Sequence, residues 1–288
     1  MTELTSRTRT LTTIADVRAF VAERRAGGAS VALVPTMGAL HDGHLALVRR
    51  AAELADVVIV SIFVNPLQFG PTEDLDQYPR TLEADLAALA GVGVDAVFAP
   101  TVAEMYPTGD VQTRLAAGSV GTLYEGASRP GHFDGMLTVV SKLFHIVQPD
   151  VALFGQKDAQ QVYLVQRMVR DLDLPLAIEV VPTVREPDGL ALSSRNRYLD
   201  ADQRRAALAL SESLRAAERA APSGAAEVLA EAEGAFGAHE DVQPDYLVVV
   251  DPVTFLPVAD GATGPAVVLV AARVGSTRLI DNQPVVLG

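Results

Sequence analysis

The stretch VALVPTMGALHDGHLALVRRAAELADVVIVSIFV (31–64) opens with an apolar run at 31–34, turns through a glycine-bearing segment, takes a helical pattern at 45–54 and returns to an apolar run at 57–64. Short β-branched runs on either side of a helix of that length make a βαβ unit. The alternation continues with a helix at 81–90, a strand at 96–99, a helix at 137–147, a strand at 151–154, a helix at 160–171 and a strand at 177–181. Strands that are apolar throughout are buried on both faces, which predicts a parallel sheet covered by helices. After 182 the texture changes. A loop rich in Arg, Asp, Gly and Ser leads to an alanine-rich helix at 201–220, a Pro222-Ser223-Gly224 break, a helix at 225–236, strands at 246–250 and 267–273, and a last short strand at 277–280. The fold class expected is α/β, with a Rossmann-like parallel-sheet N-terminal domain at 1–183 and a smaller α+β C-terminal domain at 184–288.

Composition narrows the function. With 288 residues, 49% of them hydrophobic, the chain buries a sizeable core without staples. It has no cysteine, which removes disulfides, thiolate catalysis, Cys-based zinc sites and iron–sulfur clusters from consideration. A formal net charge of -13 repels a phosphate backbone and argues against nucleic acid as a partner. Residues 1–20 carry no leader pattern, and the longest apolar runs are of strand length, so neither export nor a membrane partner is expected and a cytoplasmic setting is.

In an acidic chain, a local group of histidines, lysines and arginines beside glycines is informative. Residues 35–44 (PTMGALHDGH) lie between the first strand and its helix. Gly38 and Gly43 permit close backbone approach, and the helix N-terminus offers amide groups to an anion. His41 and His44, three residues apart, could donate to a phosphate chain; a capping or surface role is the alternative. A zinc reading is weaker, because the protease motif spaces its histidines four apart around a Glu, and neither GxxxxGK[ST] nor GxGxxG is present.

Later strands also end in polar loops. Asn65 and Gln68 can meet a small polar ligand, with an Asn-Pro turn as the alternative for Asn65. Gly155-Gln156-Lys157-Asp158 again runs from a strand into a helix: Lys157 could grip phosphate, and Asp158 either caps the helix or helps to hold Mg²⁺. Gln161, one turn into that helix, points back to the strand end. Arg129 and His132 either add positive charge or belong to an ordered surface loop. Ser193, Ser194 and Arg195 form a compact anion-binding group or ordinary caps, in a segment able to act as a lid.

The ordered motifs VPTMGALHDGH (34–44), SIFVNPLQF (61–69), DLDQYPRT (74–81), EGASRPGHFDG (125–135), GQKDAQQ (155–161), DGLALSSRNRYL (188–199) and RLIDN (278–282) together resemble the pantoate–β-alanine ligases of the nucleotidylyltransferase superfamily. The resemblance implies ATP-dependent condensation of (R)-pantoate with β-alanine through a pantoyl adenylate, releasing pyrophosphate and AMP. It implies ATP contacts from Met37, Gly38, Ala39, Leu40, His41, Asp42, Gly43, His44, Gly155, Gln156, Lys157, Asp158, Val184, Leu192, Ser193, Ser194 and Arg195. His44 is the proton-donating histidine of that scheme; His41, Lys157 and Arg195 act on the phosphates, and Gln68 and Gln161 hold pantoate, with Gln68 beside β-alanine. Mg²⁺ enters with ATP, its protein ligands unassigned apart from Asp85 as an outer-shell candidate. A homodimer is implied, and residues 184–288 as a lid. Two positions depart from the family's usual pattern, Gln156 where Glu is common and Ala159 where an aromatic is. The competing readings are another adenylyl-transferring enzyme of the same superfamily, and a nucleotide-sensing protein that has lost catalysis.

Overall fold

A computed structural model describes residues 8–70, 75–76, 78–109, 111–237, 239 and 241–288; the first seven residues of the no-leader reading, and Asp74 and Gln77 of DLDQYPRT, lie outside them. Two compact units are present. One runs up to Gly155 and takes in Leu164–Val181; the other comprises Gln156–Tyr163 and Pro182–Gly288.

The larger unit is built on strands β1 (Arg9–Leu11), β2 (Val31–Thr36), β3 (Val57–Ile62), β4 (Ala96–Phe98), β5 (Val151–Gly155) and β6 (Ala177–Val181). They form one sheet in the order β1-β4-β3-β2-β5-β6, and every pair is parallel. Its helices are α1 (Ile14–Ala26), α2 (Asp42–Leu54), α3 (Leu82–Leu89), α4 (Val102–Met105), α5 (Glu125–Ser128) and α6 (His132–Val147), with α7 (Ala159–Asp171) starting in the smaller unit and ending in this one. The Val31 to Val34 and Val57 to Val60 runs are wholly buried, as strands covered on both faces must be. From β2 the chain steps outward to β3 and β4, then returns to the other side of β2 to lay down β5 and β6. The order therefore reverses between β2 and β5, and in such sheets ligands bind beyond the carboxyl ends of the strands that flank the reversal.

Both β1 and α1 precede the first strand read from sequence. Three residues carry no periodicity, and α1 buries only Val17, Phe20 and Val21, so its apolar stripe is short. Its start is set by Thr13, whose Oγ1 accepts from the Asp16 amide at 3.1 Å. Helix α6 begins at His132, five residues before the periodic pattern, where Gly131 takes φ 81°. Helix α2 begins at Asp42, so His41 is its N-cap and Asp42-Gly43-His44 its first residues.

The smaller unit packs α8 (Ala201–Ala220) and α9 (Ala225–Phe236) against an antiparallel sheet of β7 (Val242–Val250), β8 (Gly264–Val274) and β9 (Thr277–Leu287). Ala207, Leu210, Leu214 and Val228 from the helices share a core with Val268, Val270 and Leu279 from the sheet. Strand β9 is longer than the expected 277–280 because it continues through Asp281 and Asn282, both buried. Residues 156–163 fall in this unit rather than with 1–183. Tyr163 stacks on Phe255 with ring centroids 4.9 Å apart and donates from its hydroxyl to the Thr254 carbonyl at 3.1 Å.

Candidate active site

The turn after β2 holds two successive left-handed residues, Gly38 at φ 84° and Ala39 at φ 51°. Alanine in that region costs about 1–2 kcal/mol, so something must hold it there. Asp85 of α3 does. Its Oδ2 accepts from the Ala39 amide at 3.1 Å and its Oδ1 from the Leu40 amide at 2.8 Å, while Thr81 Oγ1 donates to Oδ2 at 3.2 Å. The carboxylate is 3% exposed, and these bonds stand in for the water it has lost. The base of the turn is closed by Thr36, which donates to the Ser61 carbonyl at 2.7 Å and accepts from the Gly38 amide at 3.3 Å.

His41 and His44 follow, with ring centroids 4.1 Å apart. His41 is the N-cap of α2: its Nδ1 accepts from the Gly43 amide at 3.2 Å, and His44 Nδ1 accepts in return from the His41 amide at 3.2 Å. The capping reading and the ligand reading are therefore compatible. A neutral imidazole that accepts at Nδ1 carries its proton on Nε2, so both rings have Nε2–H as their donor. Of the amides at the helix N-terminus, that of Gly43 is occupied by His41.

Beyond β3, Asn65 caps a short 3₁₀ turn (Pro66–Gln68) and is also the hub of a buried network. Its Oδ1 accepts from the Leu67 amide at 3.3 Å and from the Tyr106 hydroxyl at 2.8 Å; its Nδ2 donates to Gln68 Oε1 and to the Gly135 carbonyl, both at 3.1 Å. With Gln68 Oε1 held by Asn65, the Gln68 amide must present Nε2, which lies 2.9 Å from Met37 Sδ. His132 donates from Nδ1 to the Gln68 carbonyl at 2.8 Å, and Arg129 Nη1 lies 3.2 Å from His132 Nε2 and donates to it. Thus Arg129 and His132 brace the Gln68 turn, and His132 is buried. Burial pushes the Tyr106 phenol well above its ordinary ionisation range, with Arg114 pulling it back only in part, so the hydroxyl stays a donor. Tyr106 and the loop-holding role of Asp85 were not visible in sequence, since neither sits in a glycine-rich or charged cluster.

Within the smaller unit, Gln156, Lys157 and Asp158 form a 3₁₀ turn leading into α7, all partly buried. Lys157 Nζ lies 3.9 Å from Asp158 Oδ1. Gln161 lies partly buried in the first turn of α7. The Leu192 amide donates to the Val184 carbonyl at 2.9 Å, bringing those two positions together. Ser193 Oγ accepts from the Arg195 amide at 3.2 Å, capping a 3₁₀ turn (Ser194–Tyr198), so Ser193 is a cap and the Ser194 and Arg195 side chains stay partly buried beside it. Arg204 of α8 anchors this loop, donating to Glu186 at 2.8 and 3.1 Å and to Asp188 at 2.6 Å, while Asn196 Nδ2 donates to Glu186 at 3.0 Å. The Arg204 guanidinium holds the Glu186 carboxyl below its usual range, against the effect of partial burial.

Residues 9–284 match the family model described as pantoate-beta-alanine ligase. The pantothenate synthetase of Leifsonia xyli is 66% identical over 89% of both chains, and that of Thermobifida fusca 58% identical over 89% of this chain and 90% of its own. Among solved structures, the pantothenate synthetase from Thermus thermophilus superimposes with a TM-score of 0.89 at 50% identity, covering 96% of this chain and 99% of that one. A pantoate-beta-alanine ligase from Francisella tularensis, complexed with beta-gamma ATP and β-alanine, superimposes at 0.77 with 35% identity over 96% and 97%. With the family model and the relatives both spanning nearly all of its length, the chain belongs to the pantoate–β-alanine ligase family.

Proposed function

We propose that this chain condenses (R)-pantoate with β-alanine at the expense of ATP, and that residues 37–44 are the centre of the reaction. The observation that carries this reading is the histidine pair at the start of α2, just past the sheet's reversal point, with ring centroids 4.1 Å apart and both Nδ1 atoms tied to backbone. A pantoate carboxylate oxygen bonds to the α-phosphorus of ATP as the bond to the β-phosphate oxygen breaks, releasing pyrophosphate. The β-alanine nitrogen then bonds to the acyl carbon, the acyl–oxygen bond to AMP breaks, and the amine proton passes to solvent. His41 and His44 donate to the phosphate oxygens on which charge develops, which is the main work of such a site.

In the same reading Met37 to His44, Gly155 to Asp158, Val184 and Leu192 to Arg195 contact ATP, with Lys157 and Arg195 on its phosphates. Gln68 and Gln161 hold pantoate, Gln68 presenting Nε2 in the orientation that Asn65 enforces. Mg²⁺ brought in with ATP would supply neutralisation of phosphate charge, with Asp85 as the outer-shell candidate. Among the described residues no group of three or more His, Cys, Asp or Glu could hold an ion. Asp85 has three donors on a carboxylate with about four acceptor sites, leaving room for one metal-bound water at most. The lid role of residues 184–288, a homodimer and a cytoplasmic setting complete the proposal; no helix among the described residues is long and apolar enough to cross a membrane. Light scattering tests the dimer, and ATP-dependent slowing of amide exchange at 184–197 tests the lid.

The reaction is tested by AMP release that requires both pantoate and β-alanine; ATP consumption without amide product refutes it. His44→Ala is expected to lower pantoate-dependent pyrophosphate formation by about 10²-fold or more with the fold retained. Near-normal turnover would remove His44 from the mechanism.

A further inference from the structure

Two polar residues in the middle of β9, Asp281 and Asn282, are 4% and 2% exposed and bond to segments that flank the ATP contacts. Both hydrogens of the Asn282 amide are committed: Nδ2 donates to the Gln156 carbonyl at 2.8 Å and to the Lys157 carbonyl at 2.9 Å. Its Oδ1 accepts from Gln156 Nε2 at 2.9 Å. The Gln156 and Lys157 carbonyls belong to the two peptide planes on either side of the Lys157 Cα. One side chain that grips both planes fixes φ and ψ of Lys157, and with them the direction in which its side chain leaves the backbone. Asp281 secures the grip. It forms a two-point pair with Arg185, at 2.5 and 3.0 Å, and its Oδ1 accepts from the Asn282 amide at 2.8 Å. Arg185 in turn donates to the Gly189 carbonyl at 3.2 Å.

We infer that Asn282 is a positioning residue for the ligase reaction, aiming the Lys157 ammonium at the ATP phosphates through the two carbonyls it holds. The inference rests on the reading of Lys157 as a phosphate ligand. No glycine and no charge mark this role in the sequence, and Asn282 itself need not touch substrate. Any side chain without two hydrogens to donate at that point releases at least one peptide plane. The consequence is a Lys157 that samples several directions, so that part of the binding energy for ATP is spent on ordering it.

The test uses the full chain and two variants. Asn282→Asp is nearly isosteric and keeps an oxygen towards Gln156 Nε2, but has no hydrogen for either carbonyl; Asn282→Ser keeps one donor. Asn282→Asp is expected to raise the KM for ATP about tenfold, the order that two lost hydrogen bonds allow, with the pantoate KM held within about twofold. Asn282→Ser falls between it and the parent and carries the comparison if the Asp variant does not fold. In a Lys157→Ala background neither substitution should raise the ATP KM further, because the residue being aimed is gone. Folded variants with a parental ATP KM, or effects that multiply with that of Lys157→Ala, overturn the inference. A Lys157→Ala enzyme with unchanged ATP kinetics would instead overturn the phosphate assignment itself.

Discussion

Asp85→Asn separates a loop-holding carboxylate from a metal-holding one. The native carboxylate offers one oxygen to the Leu40 amide and the other to the Ala39 amide and the Thr81 hydroxyl. An asparagine can replace only one oxygen. Its better orientation keeps Oδ1 on Leu40 and turns Nδ2 towards Thr81, whose hydroxyl can reverse and accept. The Ala39 amide, on a residue 4% exposed, then faces an NH₂ group and loses its partner. An orphaned buried amide costs about 1–3 kcal/mol, and the bonds that survive are weaker for having lost the charge. That is comparable with the cost of holding Ala39 left-handed, so the 37–40 turn should relax. Equilibrium urea unfolding followed by far-UV circular dichroism should show the loss of stability, and the KM for ATP should rise while that for β-alanine does not. A stability change below about 0.5 kcal/mol with a normal ATP KM would refute the argument, since that is the range of surface substitutions with no structural role. Unchanged stability with an altered Mg²⁺ dependence would assign Asp85 to the metal instead.

Three further substitutions probe the same supports. Gly38→Ala places a Cβ 3.0 Å from Asp85 Oδ2 and 3.2 Å from Ile62 Cγ2 at φ 84°, so it should destabilise by about 1–2 kcal/mol or more, read by urea midpoint. Tyr106→Phe removes the bond to Asn65 Oδ1 and leaves it the longer one from Leu67; the expected loss is about 0.5–1.5 kcal/mol, with the KM for pantoate raised more than that for ATP. Glu186 has a carboxyl held below its ordinary value by Arg204, so its share of stability is complete above the usual carboxylate range and is lost as pH falls through the depressed value. Melting temperatures measured from neutral pH down to about 3 should converge for the parent and Glu186→Gln, and a constant gap would refute the linkage.

The parallel sheet was legible because the runs of β2, β3 and β5 are largely apolar on both faces and each leads into a polar loop; burial on two sides leaves no room for polar alternation. The ends of elements were less so. Helix α6 starts at His132 on a left-handed Gly131, and its first turn sets Phe133 among His132, Asp134 and Gly135, too mixed to extend the pattern, while α1 is too weakly amphipathic to stand out. Among the site residues, His41, His44 and Lys157 were marked by their position at strand ends. That His41 and His44 also cap the helix follows from α2 beginning at Asp42, three residues before the periodicity shows.

What sequence could not show has a common physical form. Asp85, Asn65, Tyr106, Asn282 and Asp281 are buried polar groups that act on backbone amides, carbonyls or neighbouring side chains, and most of their partners are 40 to 126 residues away. Read locally, a buried Asp or Asn breaks a pattern: Asp281-Asn282 appeared to end a strand that in fact continues to Leu287. The break is the signal, because an apolar residue would pack better there and a polar one must find partners to offset its desolvation. Such residues take their meaning from the turn they hold rather than from any ligand. Mutations at them should therefore shift the KM of the substrate whose loop they support, Asp85 and Asn282 that of ATP and Tyr106 that of pantoate. If instead all three variants changed every kinetic constant by the same factor, the supports would be acting on global stability alone, and the division of labour argued from their hydrogen bonds would be wrong.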